Sequence, residues 1–240
     1  MQVPPDPKAI CHCLLLEDGN GLALVDTGLG LLDVRQPVER LGQPLIDAVG
    51  FHFDERQTAV RQVEQLGFSA ADVKHIILTH CDPDHTGGLA DFPHAQVHVS
   101  QEEHAAALSG HWRYVPVHFA HGPLWKTYSP SSQQWFGLEA RKLDVGLESE
   151  ILLIPLFGHT HGHCGVAIRQ GARWMLHIGD AYYLKIELTS EDHPVCQLAA
   201  QRADHDAQRR ASLEQIRRLV RDHATEIDLF GYHDPAEFPA

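Results

Sequence analysis

The sequence predicts an α/β sandwich, with sheets covered by helices, and two observations carry that prediction. Short apolar runs of strand length come in groups, with helical periods between and after them rather than in a regular βαβ alternation. Several of these runs end in a loop that opens with a histidine or an aspartate, as strands do when they feed a site at one edge of a sheet. The 240 residues suit one domain spanning 1–240, with a core of ordinary size.

Taken in order, residues 13–16 and 22–25 are apolar runs flanking Gly19-Asn20-Gly21, which reads as a β-hairpin. Asp26-Thr27-Gly28 ends its second strand. Residues 55–66 carry Ala59, Val60, Val63 and Leu66 at helical spacing, and Gly67 supplies a stop. Ser69 and Asp72 have capping-box spacing for a further short helix. Residues 75–78 form a short buried strand, 96–99 another, and 101–108 a helix. Three strands follow at 151–156, 165–168 and 173–178. Residues 202–222 predict the longest helix, with Leu213, Ile216, Leu219 and Val220 on one face. Residues 227–230 form a last strand.

Residues 111–136 stand apart. They lack a clean period yet hold seven of the chain's 18 aromatics, Trp112, Tyr114, Phe119, Trp125, Tyr128, Trp135 and Phe136. They are expected to form a lid-like insertion or pocket wall, the alternative being a loop packed on the core.

Composition narrows the function. A formal charge of −13 and no basic patch argue against nucleic acid as a partner. No run approaches the roughly 18 apolar residues of a membrane span. Residues 1–8 hold three prolines and no apolar signal core, so a cytoplasmic location is expected. The odd count of five cysteines fits reduced thiols, with Cys11 and Cys13 at strand spacing expected in the core. Assembly as a homodimer is left open.

The chemistry concentrates in Thr79-His80-Cys81-Asp82-Pro83-Asp84-His85-Thr86-Gly87-Gly88, just after a strand. Four ligand-type side chains lie within six residues, and alternation in an extended loop would turn His80, Asp82 and Asp84 to one side. Imidazole and carboxylate are the usual ligands of zinc, iron and manganese. Gly158-His159, Gly179-Asp180 and Tyr232-His233 each follow another strand. Such loops can converge at one edge of a sandwich.

Asp-Thr-Gly, then His-x-x-x-Asp-His, Gly-His-Thr-x-Gly-His, Gly-Asp and a terminal His resemble, in this order, the metallo-β-lactamase superfamily. The resemblance covers residues 11–233. It implies a four-layer αββα sandwich with metal at one edge. It places His80, Asp82 and His159 on a first metal and Asp84, His85 and His233 on a second, with Asp180 bridging and Asp26 and His163 in support. The look is nearest to the N-acyl-homoserine lactonase branch, in which the tyrosine of an Asp-x-x-Tyr, here Tyr183, meets the substrate carbonyl. Tyr183 as a plain core aromatic is the alternative.

One departure stands out. The family has His-x-His-x-Asp-His, and here Asp82 replaces the second histidine. An added carboxylate favours manganese or iron over zinc, and the shorter side chain leaves one or two divalent ions per chain as alternatives. The expected reaction is hydrolysis: a metal-bound hydroxide attacks an ester or lactone carbonyl of a small molecule with an apolar portion. Asp84 moves the proton, and a second metal or Tyr183 holds the oxyanion. The rival functions are a mononuclear iron oxygenase acting on persulfides, a phosphodiesterase, and a metal-binding or signalling protein without turnover.

Overall fold

The computed structural model describes residues 9–238. Residues 1–8, read above for a secretion signal, lie outside them. The first sheet holds β1 (Leu14–Asp18), β2 (Gly21–Val25), β3 (Val73–Ile77), β4 (Gln96–Ser100) and β5 (Leu124–Tyr128), side by side in chain order. β1 and β2 form the expected hairpin, with Asp18 opposite Gly21 across the turn residues Gly19 and Asn20.

From β2 to β5 every neighbouring pair is parallel, so this half does alternate strand and crossover, contrary to the sequence expectation. The crossovers are too broken to show a period. Between β2 and β3 lie α1 (Leu31–Arg35), α2 (Pro37–Leu41), α3 (Gln43–Val49) and α4 (Ala59–Gln65). The next crossover holds only the single turn α5 (Pro83–Thr86) and a 3₁₀ stretch, and the last holds α6 (Gln101–Ala107).

After a small hairpin of β6 (Gln134–Trp135) and β7 (Leu138–Glu139), the second sheet aligns β8 (Arg141–Lys142), β9 (Ile151–Pro155), β10 (Cys164–Gln170), β11 (Arg173–His177) and β12 (Ile227–Phe230). Only β11 and β12 run parallel. Alternation along β9 shows the layering. Ile151 and Leu153 point between the sheets, to a cluster shared with Val25 and Ile77. Leu152 and Ile154 point outward, to a cluster with Leu213, Ile216 and Leu219 of α8 (Asp206–Asp222). On the far side, Leu24, Ile76 and Val97 meet Val60 and Val63 of α4. The result is the expected four-layer αββα sandwich, each layer burying its apolar face against the next.

The longest helix, expected over 202–222, is α8 and starts four residues later; a separate helix, α7 (Pro194–Arg202), ends just before it. Ala203 is extended (φ −76°, ψ 138°), and the backbone N–H groups of Asp204 and His205 donate to the carbonyls of His159 and Gly158, each at 3.0 Å. These donors leave the helix to hold a loop. Val220 lies off the buried face and is 40% exposed.

Residues 111–136 are not one lid. Tyr114, Phe119 and Trp125 join the outer core of the first sheet. Tyr128 packs between the sheets, and Trp135 and Phe136 against the outer face of the second. Sheet pairing of β5 turns its aromatics to both faces. Trp112 alone of the seven is strongly exposed, at 75%. The portion beside the metal loop is tied down by His118, which is buried, meets Thr86 Oγ1 at 3.0 Å and reaches Asp33 Oδ1 at 3.1 Å. All five cysteines are free thiols; Cys81 and Cys164 are buried, but Cys11 is exposed and Cys13 half-buried, which corrects the core expectation for that pair.

Asp91 accepts the Leu31 N–H at 2.9 Å. Burial, reinforced by the charge of Asp33, raises its carboxyl to about 6. A folded value above the unfolded one makes the ionised form costly, so stability falls as pH rises from about 4 to about 6. Asp91→Asn keeps an oxygen acceptor and loses the charge. Its melting temperature should exceed that of the unchanged protein at pH 8 and converge with it near pH 4, as scanning calorimetry across pH would record.

Candidate metal centre

Four loops leave neighbouring strand ends and meet at one edge of the sandwich. The first follows β3. It does not stay extended as expected: Asp82 caps α5, Pro83 starts it, and Asp84 and His85 lie within that helical turn. His159 comes from the turn between β9 and β10. Asp180 follows β11 and His233 follows β12. Two glycines make this convergence possible. Gly158 has φ +124°, and a Cβ there would lie 2.0 Å from Arg209 N; Gly179 has φ +55°, and a Cβ there would lie 2.6 Å from His163 Nε2.

All seven expected ligands come together. His80 groups with Asp82 and His159; His80 and His85 with Asp180; and Asp84 and His85 with His233. Asp180 is central. Its Oδ2 is 3.1 Å from His233 Nε2 and 3.4 Å from His159 Nε2, and its Oδ1 is 3.4 Å from His85 Nε2. Asp84 Oδ2 is 3.5 Å from His233 Nε2.

The outer hydrogen bonds decide which ring nitrogens are free. Asp26 takes the Thr79 N–H on Oδ1, and the Thr79 hydroxyl and His85 Nδ1–H on Oδ2, at 2.8, 2.8 and 2.9 Å. With its own proton spent on Asp26, Thr79 Oγ1 accepts from His80 Nδ1 at 3.1 Å. His233 Nδ1 donates to the Ile10 carbonyl at 2.8 Å. Each of these three rings therefore turns an Nε2 lone pair toward Asp180, as metal-ligating histidines do. His163 accepts the Asp180 N–H on Nε2 at 2.9 Å, so its Nδ1–H serves the Leu156 carbonyl. Glu103, wholly buried, joins the loops of both sheets: it accepts from Cys81 N–H at 2.8 Å, Thr160 Oγ1 at 2.7 Å and Gly162 N–H at 3.0 Å.

The donor set fits a divalent cation. Among the described residues, His80 Nε2, His85 Nε2 and Asp180 Oδ1 are buried polar atoms without a hydrogen-bond partner, a costly arrangement unless a cation completes it. Burial works against the charged form of His233, yet the Asp180 and Asp84 carboxylates outweigh it and lift the ring to about 9, so a proton on Nε2 fills the place of the lone pair until a cation displaces it. Burial likewise opposes the ionised Asp180, and His233 and His85 hold its carboxyl well below the usual range. The pocket is organised around excess negative charge.

The family described as "Metallo-beta-lactamase superfamily" matches residues 7–227. The chain belongs to this superfamily. A Mycobacterium tuberculosis relative named "Probable metallo-hydrolase" is 38% identical over 234 residues, 94% of this chain and 75% of its own length. An N-acyl homoserine lactonase of Rhizobium radiobacter is 31% identical over 120 residues, 48% of this chain and 43% of that protein, in keeping with the lactonase-like look of residues 180–183. A B. thuringiensis AiiA mutant, solved with N-decanoyl-L-homoserine at its active site, superposes with a TM-score of 0.71 at 21% identity, covering 94% of this chain and 81% of that one. Superfamily membership and the donor set together support metal-dependent hydrolysis.

Sequence reasoning missed Glu103 and Arg113 at this site. Arg113 is buried with its guanidinium on Asp82, Nε to Oδ1 at 2.5 Å and Nη2 to Oδ2 at 2.9 Å. The signal was Asp82 itself, a carboxylate in place of an imidazole, which calls for a compensating cation elsewhere in the chain. Tyr183 lies at the rim, its ring edge-on to His159 and His233 at centroid distances of 5.7 and 5.4 Å.

Asp26 touches no proposed metal position yet orients two ligands. Asp26→Ala should weaken metal binding by about 10- to 100-fold, read by competition with a chromogenic chelator. Unchanged affinity in a folded variant would reduce Asp26 to a strand-end residue.

Proposed function

We propose that the chain hydrolyses an ester or lactone of a small molecule with an apolar portion, using zinc, iron or manganese. The observation that carries this reading is the set of three Nε2 lone pairs, on His80, His85 and His233, freed toward Asp180 beside Asp84. A divalent ion in such a site supplies a Lewis acid and lowers the pKa of water.

The chain's own groups take the remaining parts. Tyr183 stays a neutral phenol, because burial and the Asp180 and Asp82 carboxylates all push its ionisation upward. Its hydroxyl is a donor for negative charge growing on the carbonyl oxygen. Glu187 fixes that residue by accepting its backbone N–H at 2.8 Å. Asp84 is one of the more open of the acidic groups, with 18% of its side chain exposed, and is suited to pass a proton to the leaving oxygen. Beside the His159 turn lies an open cavity of about 500 Å³ with a mixed wall, apolar at Ala106, Trp112, Tyr114 and Ala203 and polar at Ser109, His111, His161, Asp204 and His205. Asp204 also bonds Arg113, which brings this cavity next to Asp82. We assign it to the apolar portion. The lactonase relatives support the ester or lactone class.

The test is a panel of lactones with short and long acyl chains, thioesters and phosphodiesters, run before and after chelation. Lactone or ester turnover should vanish on chelation and return with metal. Turnover confined to phosphodiesters, or none that depends on metal, refutes the reading. Tyr183→Phe should lower kcat on the order of ten-fold or more with metal content unchanged; wild-type kcat would make Tyr183 a packing residue. Trp112→Ala should raise KM several-fold for long acyl chains and hardly at all for short ones. Equal KM values would place the apolar portion elsewhere.

A further inference from the structure

Arg113 is built into the centre. Its side chain is 2% exposed and every guanidinium N–H has an acceptor. Nε serves Asp82 Oδ1 at 2.5 Å. Nη2 serves Asp82 Oδ2 and His159 Nε2, each at 2.9 Å. Nη1 serves the Arg202 carbonyl at 2.5 Å and Asp204 Oδ1 at 3.2 Å. Nε2 of His159 also lies 3.2 Å from Asp82 Oδ2. Arginine nitrogens only donate, so the shorter contact makes Nε2 an acceptor, and a proton on Nε2 for Asp82 would equally occupy the lone pair that a first metal ion needs.

His159 differs from the other histidines in a second way. His80, His85 and His233 each have Nδ1 bonded to an acceptor. His159 Nδ1 is buried and has no partner among the described residues. It lacks the support that orients a metal-bound ring. Charge points the same way. The Arg113 guanidinium takes up the charge of Asp82, which leaves Asp84 and Asp180 to a divalent ion. A second divalent ion at Asp82 would lie against the guanidinium and set like charges against each other.

We infer that Arg113 stands in for the first metal ion, so that the chain holds one divalent ion, between His80, Asp84, His85, Asp180 and His233, while Asp82 pairs with the arginine rather than the metal. This rests on the metal-dependent reading above. Arg113 has no N–H left for a substrate, so it is a positioning residue: it fixes Asp82 and His159 with a charge that chelation cannot remove.

Elemental analysis after equilibration with excess zinc or manganese, followed by desalting, tests the inference. The unchanged protein and Asp82→Ala should each retain one ion per chain. Arg113→Ala should retain two, because it frees Asp82 and His159, which group with His80 as a further donor set. Two ions in the unchanged protein, loss of an ion in Asp82→Ala, or a single ion in folded Arg113→Ala would each overturn it. No ion in any protein would remove the metal-dependent reading itself. Should Arg113→Ala fail to fold, the unchanged protein loaded with manganese decides by electron paramagnetic resonance. An isolated six-line manganese spectrum supports the inference, and an exchange-coupled pair overturns it.

Discussion

The site depends first on the carboxylate of Asp26. It is buried at the end of β2 in the left-handed region, at φ 55°, a conformation that Asp tolerates better than most residues but that still carries strain. The hydrogen bonds it makes there offset that strain. It orients His85 directly and His80 through the Thr79 hydroxyl, so one side chain outside the metal pocket sets the tautomers of two histidines within it. Thr27, its neighbour, adds a hydroxyl bond to the His85 carbonyl at 2.8 Å, which fixes the backbone of the same ligand.

Much of this was legible in the sequence. The strands ending near residues 77, 155, 177 and 230 were visible as apolar runs: β9 and β11 are buried or half-buried throughout, β3 is buried at its end, and β12 keeps Ile227, Leu229 and Phe230 around an exposed Asp228. Their loops were visible because ligand-type residues follow directly. The seven clustered side chains at 80, 82, 84, 85, 159, 180 and 233 could therefore be named in advance. What escaped was whatever depends on side chains meeting across long separations. Arg113 lies 31 residues from Asp82 and in a stretch without period, so no local spacing ties the two. The break at Ala203 was equally silent. Alanine is a good helix former, and the chain leaves the helix there because the His159 turn takes its backbone donors. The aromatics of residues 111–136 misled for a related reason: pairing of β5 sends Trp125 and Tyr128 to opposite faces of the first sheet, and the β6–β7 hairpin carries Trp135 and Phe136 to the outer face of the second.

Arg113 and the helix break belong together. The Arg202 carbonyl is free to accept from Nη1 because α7 ends there, and Asp204, on the extended link, takes the remaining N–H of that nitrogen. A continuous helix would have spent that carbonyl internally and moved Asp204 away. The departure at Asp82, the arginine in the 111–136 stretch and the interruption between α7 and α8 thus form one arrangement, distributed over three distant parts of the chain.

Glu103 gives the two sheets a common fate. One of its oxygens belongs to the metal loop of the first sheet and the other to the His159 turn of the second. Opening either half would leave a buried carboxylate without one or two of its three donors, a penalty of about 1–3 kcal/mol or more for a charged group. Neither half can fray at this edge without disturbing its neighbour. The molecule is thereby biased to melt as a single cooperative unit, although its architecture is that of two five-stranded sheets laid face to face.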